Sequence, residues 1–357
     1  MGHNTFGTEF SVTTFGESHG EAIGVVIDGA ESGFELDRDA LQADMDRRRP
    51  GGNKLGTPRN EADQIEIQSG IFQGKTTGCP ICMLIRNTNQ HSSAYDSLKD
   101  LYRPGHADYA YQMKYGIRDW RGGGRSSARE TAARVAAGAL ARQLLRARGI
   151  TIQAGTIQVG TIKAEKRDWS SAKDNLLSCP DADAAKKMQD LIEKTRGEED
   201  SVGGVIECVI RGCPAGLGDP EFDKLGARLG QAMLSINASR GFEFGDGFGA
   251  SSLLGSQDND AMDANGFLSN HAGGILGGIS TGSDIIFRVA FKPTPSIGKK
   301  QQTITREGKE TMLEIKGRHD PCVCPRAVVV VEAMAAITVL DAYYAQFGRH
   351  ACNHKAP

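Results

Sequence analysis

The residues of this chain most able to do chemistry sit beside glycine. Gly16-Glu17-Ser18-His19-Gly20, Arg121-Gly122-Gly123-Gly124-Arg125-Ser126-Ser127 and Gly317-Arg318-His319-Asp320 combine both. Gly241 to Gly249 and Gly273 to Gly278 are two further clusters. Glycine tolerates positive φ and lets backbone approach another group closely. A phosphate or a flat ring pressed against backbone needs both properties. His19, His106, His271 and His319 lie in such Gly- or Pro/Gly-rich loops, where catalytic groups are often held. An imidazole with a pKa near ~6.5 can give or take a proton at neutral pH.

The segment 121–134 has the most readable physics. Arg125, Ser126 and Ser127 precede an Ala/Leu-rich stretch, and Ser127 with Glu130 has the spacing of a capping box. Free N–H groups and the positive end of the helix dipole meet there. Arg129 in the first turn opposes that dipole, and a bound anion would relieve the conflict. Arg134, about 140° further round the helix, reaches the same spot from the flank.

Other motifs fail on spacing. Gly70-Ile-Phe-Gln-Gly74-Lys75-Thr76 is one residue short of a phosphate-binding P-loop. Gly245-Asp-Gly247-Phe-Gly249 lacks the spacing of the dinucleotide fingerprint and is expected to follow a helix instead of a strand. Cys79-Pro-Ile-Cys82 is half a zinc site, and neither Cys208 with Cys213 nor Cys322 with Cys324 completes it. The cysteines read as buried thiols, with no metal expected.

The elements that must position these groups mix without regular βαβ alternation. Helices are expected over Leu36–Arg48, Ser127–Arg148, Glu221–Asn237 and Pro325–Phe347, with a polar one near Ala184–Thr195. The last has Pro at its first turn and Gly348 past its end, although Val328–Val331 would also suit a strand. Strands are expected at Ile23–Ile27, Ile65–Ile67, Ile81–Ile85, Thr151–Val159, Val205–Ile210 and Ile285–Phe291. This predicts an α+β fold of mixed helices and antiparallel sheets in a sandwich-like arrangement. With no repeat or low-complexity linker, 1–357 reads as a single large domain with a short flexible tail from about 349. The stretch Gln153–Ser201 reads as an excursion.

Composition narrows the function classes. The 42 Lys and Arg against 44 Asp and Glu leave a net charge of −2, which argues against bulk binding to nucleic acid or an anionic membrane. The 45 glycines in 357 residues exceed the ~25 of average usage, and the surplus is expected to line a pocket. No apolar run reaches the ~18 residues of a membrane span, and no secretory signal is visible. A cytoplasmic location is expected.

Three segments, Gly16-Glu-Ser-His-Gly20, Gly124-Arg-Ser-Ser-Ala-Arg-Glu-Thr131 and Arg318-His-Asp-Pro-Cys322, resemble the signature segments of the chorismate synthase family. Arg47-Arg-Arg-Pro-Gly51, Arg103-Pro-Gly-His106-Ala-Asp108 and Lys292-Pro-Thr-Pro-Ser296 are similar to further stretches typical of it, and the resemblance runs from about Thr5 to Phe347. It implies the last step of the shikimate pathway. There, 5-enolpyruvylshikimate 3-phosphate loses phosphate and a C6 hydrogen by 1,4-anti elimination to give chorismate. It also implies reduced FMN without net redox change, and a homotetramer.

By the same resemblance His19 protonates the departing phosphate, His106 keeps the reduced flavin in its reactive protonation state, and Asp320 acts as base by way of the flavin. Arg125, Ser126, Ser127, Asn237, Ala238, Gly278, Lys292, Pro293, Thr294, Pro295, Ser296 and Arg318 match flavin-contacting positions. Arg48, Arg129 and Arg134 match positions that hold the substrate's anionic groups. Lys54 stands where many members have Arg; it keeps the charge but not the planar fork, and any nicotinamide contact would fall there. NADPH is a possible reductant, although no long insertion suggests a built-in reductase. A flavin reductase or an inactive flavin-binding homologue is the competing reading, but it has no need of His19, His106 and Asp320 together.

Overall fold

A computed structural model describes residues 3–56, 61–88, 92–315 and 320–349, without the side chains of 92–94. Arg318 and His319 therefore lie outside the described residues, as does the expected tail apart from Arg349, which pairs with Glu9 at 3.0 Å.

Two five-stranded sheets form the outer layers. The first contains β1 (Thr5–Phe6), β2 (Ser11–Gly16), β3 (Ala22–Asp28), β4 (Ile65–Ile67) and β5 (Ile81–Arg86), in the order β1-β2-β3-β5-β4. The second contains β6 (Thr151–Val159), β7 (Ile162–Lys163), β8 (Gly204–Arg211), β9 (Ser239–Phe244) and β10 (Ile285–Phe291), in the order β7-β6-β8-β10-β9. Every neighbouring pair is antiparallel. Alternation sends one face of each strand inward: Ile23, Val25 and Ile27 of β3 and Ile285, Phe287 and Val289 of β10 are fully buried.

Several helices pack against the sheets. Those that matter are α1 (Arg38–Arg48), α2 (Asp108–Tyr115), α3 (Thr131–Arg146), α4 (Ala182–Gly197), α5 (Leu225–Leu234) and α6 (Cys324–Phe347). α3 packs on β2, β3 and β5, α6 packs on β6 and β8, and the two helices pack on each other. The α+β sandwich is as expected, with the longest helix at its centre. α6 is apolar all round because α1, α3, α5 and two strands surround it. It is long and apolar enough to cross a membrane, yet it is 94% buried inside this fold. The same enclosure decides Val328–Val331 in favour of helix. At the α3–α6 crossing a Cβ on Gly138 would lie 2.3 Å from the Ala333 Cβ, so only glycine permits that approach.

Several expectations change. The capping box is absent: Ser127 accepts from the Arg129 N–H at 3.3 Å, but Glu130 turns to Arg134 instead. Residues 128–130 form a separate short turn before α3. The third expected helix begins at Leu225, not Glu221. Only part of Gln153–Ser201 is an excursion, since β6 is an interior strand of the second sheet. The near-P-loop is a hairpin whose turn residues Gln73 and Gly74 both have positive φ, as a tight two-residue connection requires. Helix α2 and strands β2 and β9 gave no pattern strong enough to be read. Among the described residues no cysteine is bridged and no His, Cys, Asp and Glu cluster could hold a metal ion.

Candidate active site

One cavity of about 1090 Å³ opens where the segment before α3, the segment before α6, the end of α5 and the 292–296 loop converge. That volume is at the upper end of the ~300–1,000 Å³ of ligand pockets, enough for two small molecules side by side. Its lining includes His106 and Asp320, Arg125, Ser126 and Ser127, Asn237 and Ala238, Lys292, Thr294, Pro295 and Ser296, and Arg129 and Arg134. Residues more than 200 positions apart, such as His106 and Asp320, thus line the same cavity.

The loop 121–125 shows why glycine is used here. Gly122 (φ +63°) and Gly123 (φ +98°) have backbone that favours glycine. A Cβ on Gly122 would lie 2.5 Å from the His19 ring, and one on Gly123 would lie 3.0 Å from His106. Bare backbone therefore runs between the two histidines. His106 reaches the cavity. His19, buried and edge-on to Tyr95 at 5.2 Å between ring centres, stands one layer behind Gly122 and Tyr95, which do line it.

The glycine surplus as a whole does not have this role. Among the described residues only Gly105 and Gly122 of the glycines line the cavity. The 241–249 and 273–278 clusters pack turn against turn: Gly245 faces the backbone of His271 to Gly273. Gly278 lies in a hairpin turn against Lys224 and Asp219 and accepts from the Leu225 N–H at 2.8 Å, outside the cavity. Positive φ in turns accounts for most of the excess.

The wall is cationic. Besides the expected residues it carries Arg103, Arg240 and Arg326, against Glu130 and Asp320. Burial, reinforced by Arg240 nearby, pushes the Lys292 ammonium below its ordinary pKa. Asp320 pairs with Arg326 at 2.7 Å. His106 Nδ1 lies 3.0 Å from Asp108, whose carboxylate is also gripped by Arg103 at 2.7 Å and Arg118 at 3.2 Å. Burial lowers the His106 pKa despite Asp108, leaving the imidazole mostly neutral near pH 7. Asp108 itself, though burial opposes its charge, is held far below the usual carboxylate range by Arg103 and His106.

Arg129 does not await an external anion to resolve its clash with the helix dipole. Its Nη1 donates to Asp63, its Nε to Asn87 Oδ1 at 2.8 Å and its Nη2 to the Arg86 carbonyl at 3.2 Å. Arg48, fully buried, also donates to Asp63 and does not line the cavity. Lys54 is outside it too, on a loop tied by Asn53 to the Leu176 carbonyl and by Arg196 to the carbonyls of Lys54 and Gly56. Pro293 is the one member of 292–296 not lining the wall.

Among the described residues, Asn237 Oδ1, Thr294 Oγ1 and Arg125 Nη1 are buried without a hydrogen-bond partner, and all three residues line this cavity. Buried polar groups are normally satisfied, so the clustering marks a surface shaped for a ligand. Donors and acceptors of both kinds beside bare backbone fit the edge of a flavin, and the arginines fit phosphate and carboxylate. Sequence reasoning missed Arg103 and Asp108 as working parts although they flank His106. It also missed Glu130 and Arg326 inside quoted or adjacent segments. Asp63 and Arg240 had no local signal.

Fold and site together define an α+β protein with a cavity lined by arginines, with imidazole and carboxylate groups on its wall. A sequence model of the chorismate synthase family matches residues 10–344. Chorismate synthase of Bacteroides thetaiotaomicron is 55% identical over 348 residues, covering 95% of this chain and 97% of that protein. The Porphyromonas gingivalis enzyme is 52% identical over 364 residues, covering 99% and 98%. A crystal structure of chorismate synthase superposes with a TM-score of 0.76 at 29% identity, covering 96% of this chain and 94% of that one. The chain belongs to the chorismate synthase family.

Proposed function

We propose that the chain eliminates phosphate from 5-enolpyruvylshikimate 3-phosphate to give chorismate, with reduced FMN as cofactor, working as a cytoplasmic homotetramer. The observation that carries this is the convergence of His106, Asp320, Arg129, Arg134 and the 125–127, 237–238 and 292–296 segments on one cavity. The last three segments would hold the flavin. Gly278 joins them by resemblance alone, and so does Arg318.

Bound FMN would lend an electron to the substrate and recover it. Arg129 and Arg134 would orient the anionic groups, lowering the cost of bringing charge into a confined site. Lys292 and Arg125, in the segments that would hold the flavin, would add positive charge beside its anionic groups. His19 would protonate the departing phosphate, for which it must be reached past Gly122 and Tyr95. His106, largely neutral from burial, accepts or returns a proton at its ring nitrogen. Asp320, oriented by Arg326, is the proton acceptor. Arg48 and Lys54 act from outside the cavity, and any NADPH serves as an external reductant.

The test is anaerobic incubation of the purified protein with reduced FMN and this substrate. Stoichiometric release of phosphate and formation of chorismate are expected. Folded protein that binds FMN and shows no turnover overturns the reading.

A further inference from the structure

We propose that Asp63 is a positioning residue for substrate binding: it sets the Arg129 guanidinium on the cavity wall, with Arg48 as the counter-charge that holds Asp63 in place. The inference rests on the reading that Arg129 binds an anionic group of the substrate.

The geometry is that of a fixed internal anion shared by two arginines. Asp63 Oδ2 accepts from Arg48 Nε at 3.1 Å and from Arg48 Nη2, while Oδ1 accepts from Arg129 Nη1. The Asp63 and Arg48 side chains are at most 1% exposed. Arg48 spends its remaining Nη1 on Thr131 Oγ1 at 3.4 Å. Of the three, only Arg129 lines the cavity. The anion thus couples α1, which bears Arg48, to the turn before α3, which bears Arg129. Gln42 of α1 adds a hydrogen bond to the Asp63 carbonyl at 3.3 Å.

Three features favour positioning over simple charge burial. Asp63 holds φ +48°, a region sparsely populated by non-glycine residues that recurs at functional sites. Burial opposes its charge, yet Arg48 and Arg129 keep the carboxyl below its ordinary pKa, so it is an anion at neutral pH. Arg48, by contrast, is brought down to about 10 by burial and by the nearby Arg326 and Arg129, a crowded cation that makes sense only beside that carboxylate. Three donors of Arg129 are locked by Asp63, Asn87 and the Arg86 carbonyl, which leaves the guanidinium one orientation and two N–H groups to spare. Asn87 in turn donates to the carbonyls of Glu17 and Gly20 at 3.1 and 2.9 Å. The network therefore also touches the loop that holds His19.

Asp63→Asn is measured for substrate affinity, KM and kcat with reduced FMN, alone and combined with Arg129→Ala. KM is expected to rise about 10- to 100-fold, the size of one lost charge-assisted hydrogen bond, with kcat changed much less and FMN affinity unchanged. The Arg129→Ala rise should be as large, and the pair together no worse than Arg129→Ala alone. If Asp63→Asn does not fold, Asp63→Asn with Arg48→Met, which removes one charge of each sign, gives the same readout. A folded Asp63 variant with ordinary KM, or effects that multiply with Arg129→Ala, overturns the proposal while leaving the function reading intact. An Arg129→Ala protein with unaltered substrate affinity removes the reading on which the proposal rests.

Discussion

Two sets of buried charges in this molecule behave differently. On α6, Asp341 accepts from the backbone N–H groups of Thr8, Glu9 and Phe10 at 2.9, 2.6 and 2.8 Å and from Arg228. Glu332 accepts from Ala154 N–H at 2.9 Å and Arg47 at 2.6 Å, with Arg142 at 3.2 Å. These acids are satisfied entirely by the fold, and they stitch the N-terminal segment and the second sheet to the central helix. Around the cavity, cations outnumber acids, and Asn237, Thr294 and Arg125 keep buried polar atoms without hydrogen bonds. A closed network serves cohesion. An open one, with its own charges fixed behind the wall by Asp63 and Asp108, is built to be completed by a ligand.

The sharpest way to break this contrast is to remove the three residues proposed to move protons. His19→Ala, His106→Ala and Asp320→Ala should each lower turnover by at least tenfold, within the ~10²–10⁴-fold range of positioned acids and bases, while FMN still binds and the melting temperature hardly moves. Wild-type turnover in any of them takes that residue out of the mechanism.

The opposite pattern is expected on α6. Asp341→Ala leaves three backbone donors without their acceptor and Arg228 with only Asp223 at 3.4 Å, and should cost about 3–5 kcal/mol in chemical denaturation, the range for breaking a buried pair, with turnover per folded molecule nearly unchanged. Glu332 is held below its usual value of 4.5 by Arg47 and Arg142, although burial pushes it up. A depressed carboxyl stabilises above the unfolded pKa and loses that contribution as pH falls through the folded one. The stability gap between wild type and Glu332→Gln should therefore be widest near neutrality and narrow below about pH 4.5.

A smaller effect tests whether charges behind the wall tune those on it. Asp108→Asn removes the anion beside His106 and leaves Arg103 and Arg118 uncompensated. The His106 imidazole midpoint, followed by nitrogen NMR, should fall further below its ordinary value. An upward move would show that Asp108 does not support the protonated ring.

Much of the framework was legible because it depends on local regularities. β6 and β10 match their apolar patterns to the residue, and along β10 the inward face recurs with period two. α6 was bounded by Pro325 and Gly348. β2 was not legible, because Ser11-Val-Thr-Thr-Phe-Gly alternates weakly and gains its partners only from β1 and β3. Glu130 looked like a capping residue by spacing, but the turn before α3 gave Arg134 the better claim on it.

For the site, sequence alone determined which types of groups were available: histidines and arginines against glycine, and a family likeness along nearly the whole chain. Their motifs are local, and glycine's freedom at Gly122 and Gly123 is a property of one residue's backbone. Which of those groups share a wall was decided by tertiary structure. Asp63 lies 66 residues from Arg129, and no periodicity links them. The packing of α1 against α3 brings them together, because a buried guanidinium must find an anion wherever the fold can supply one.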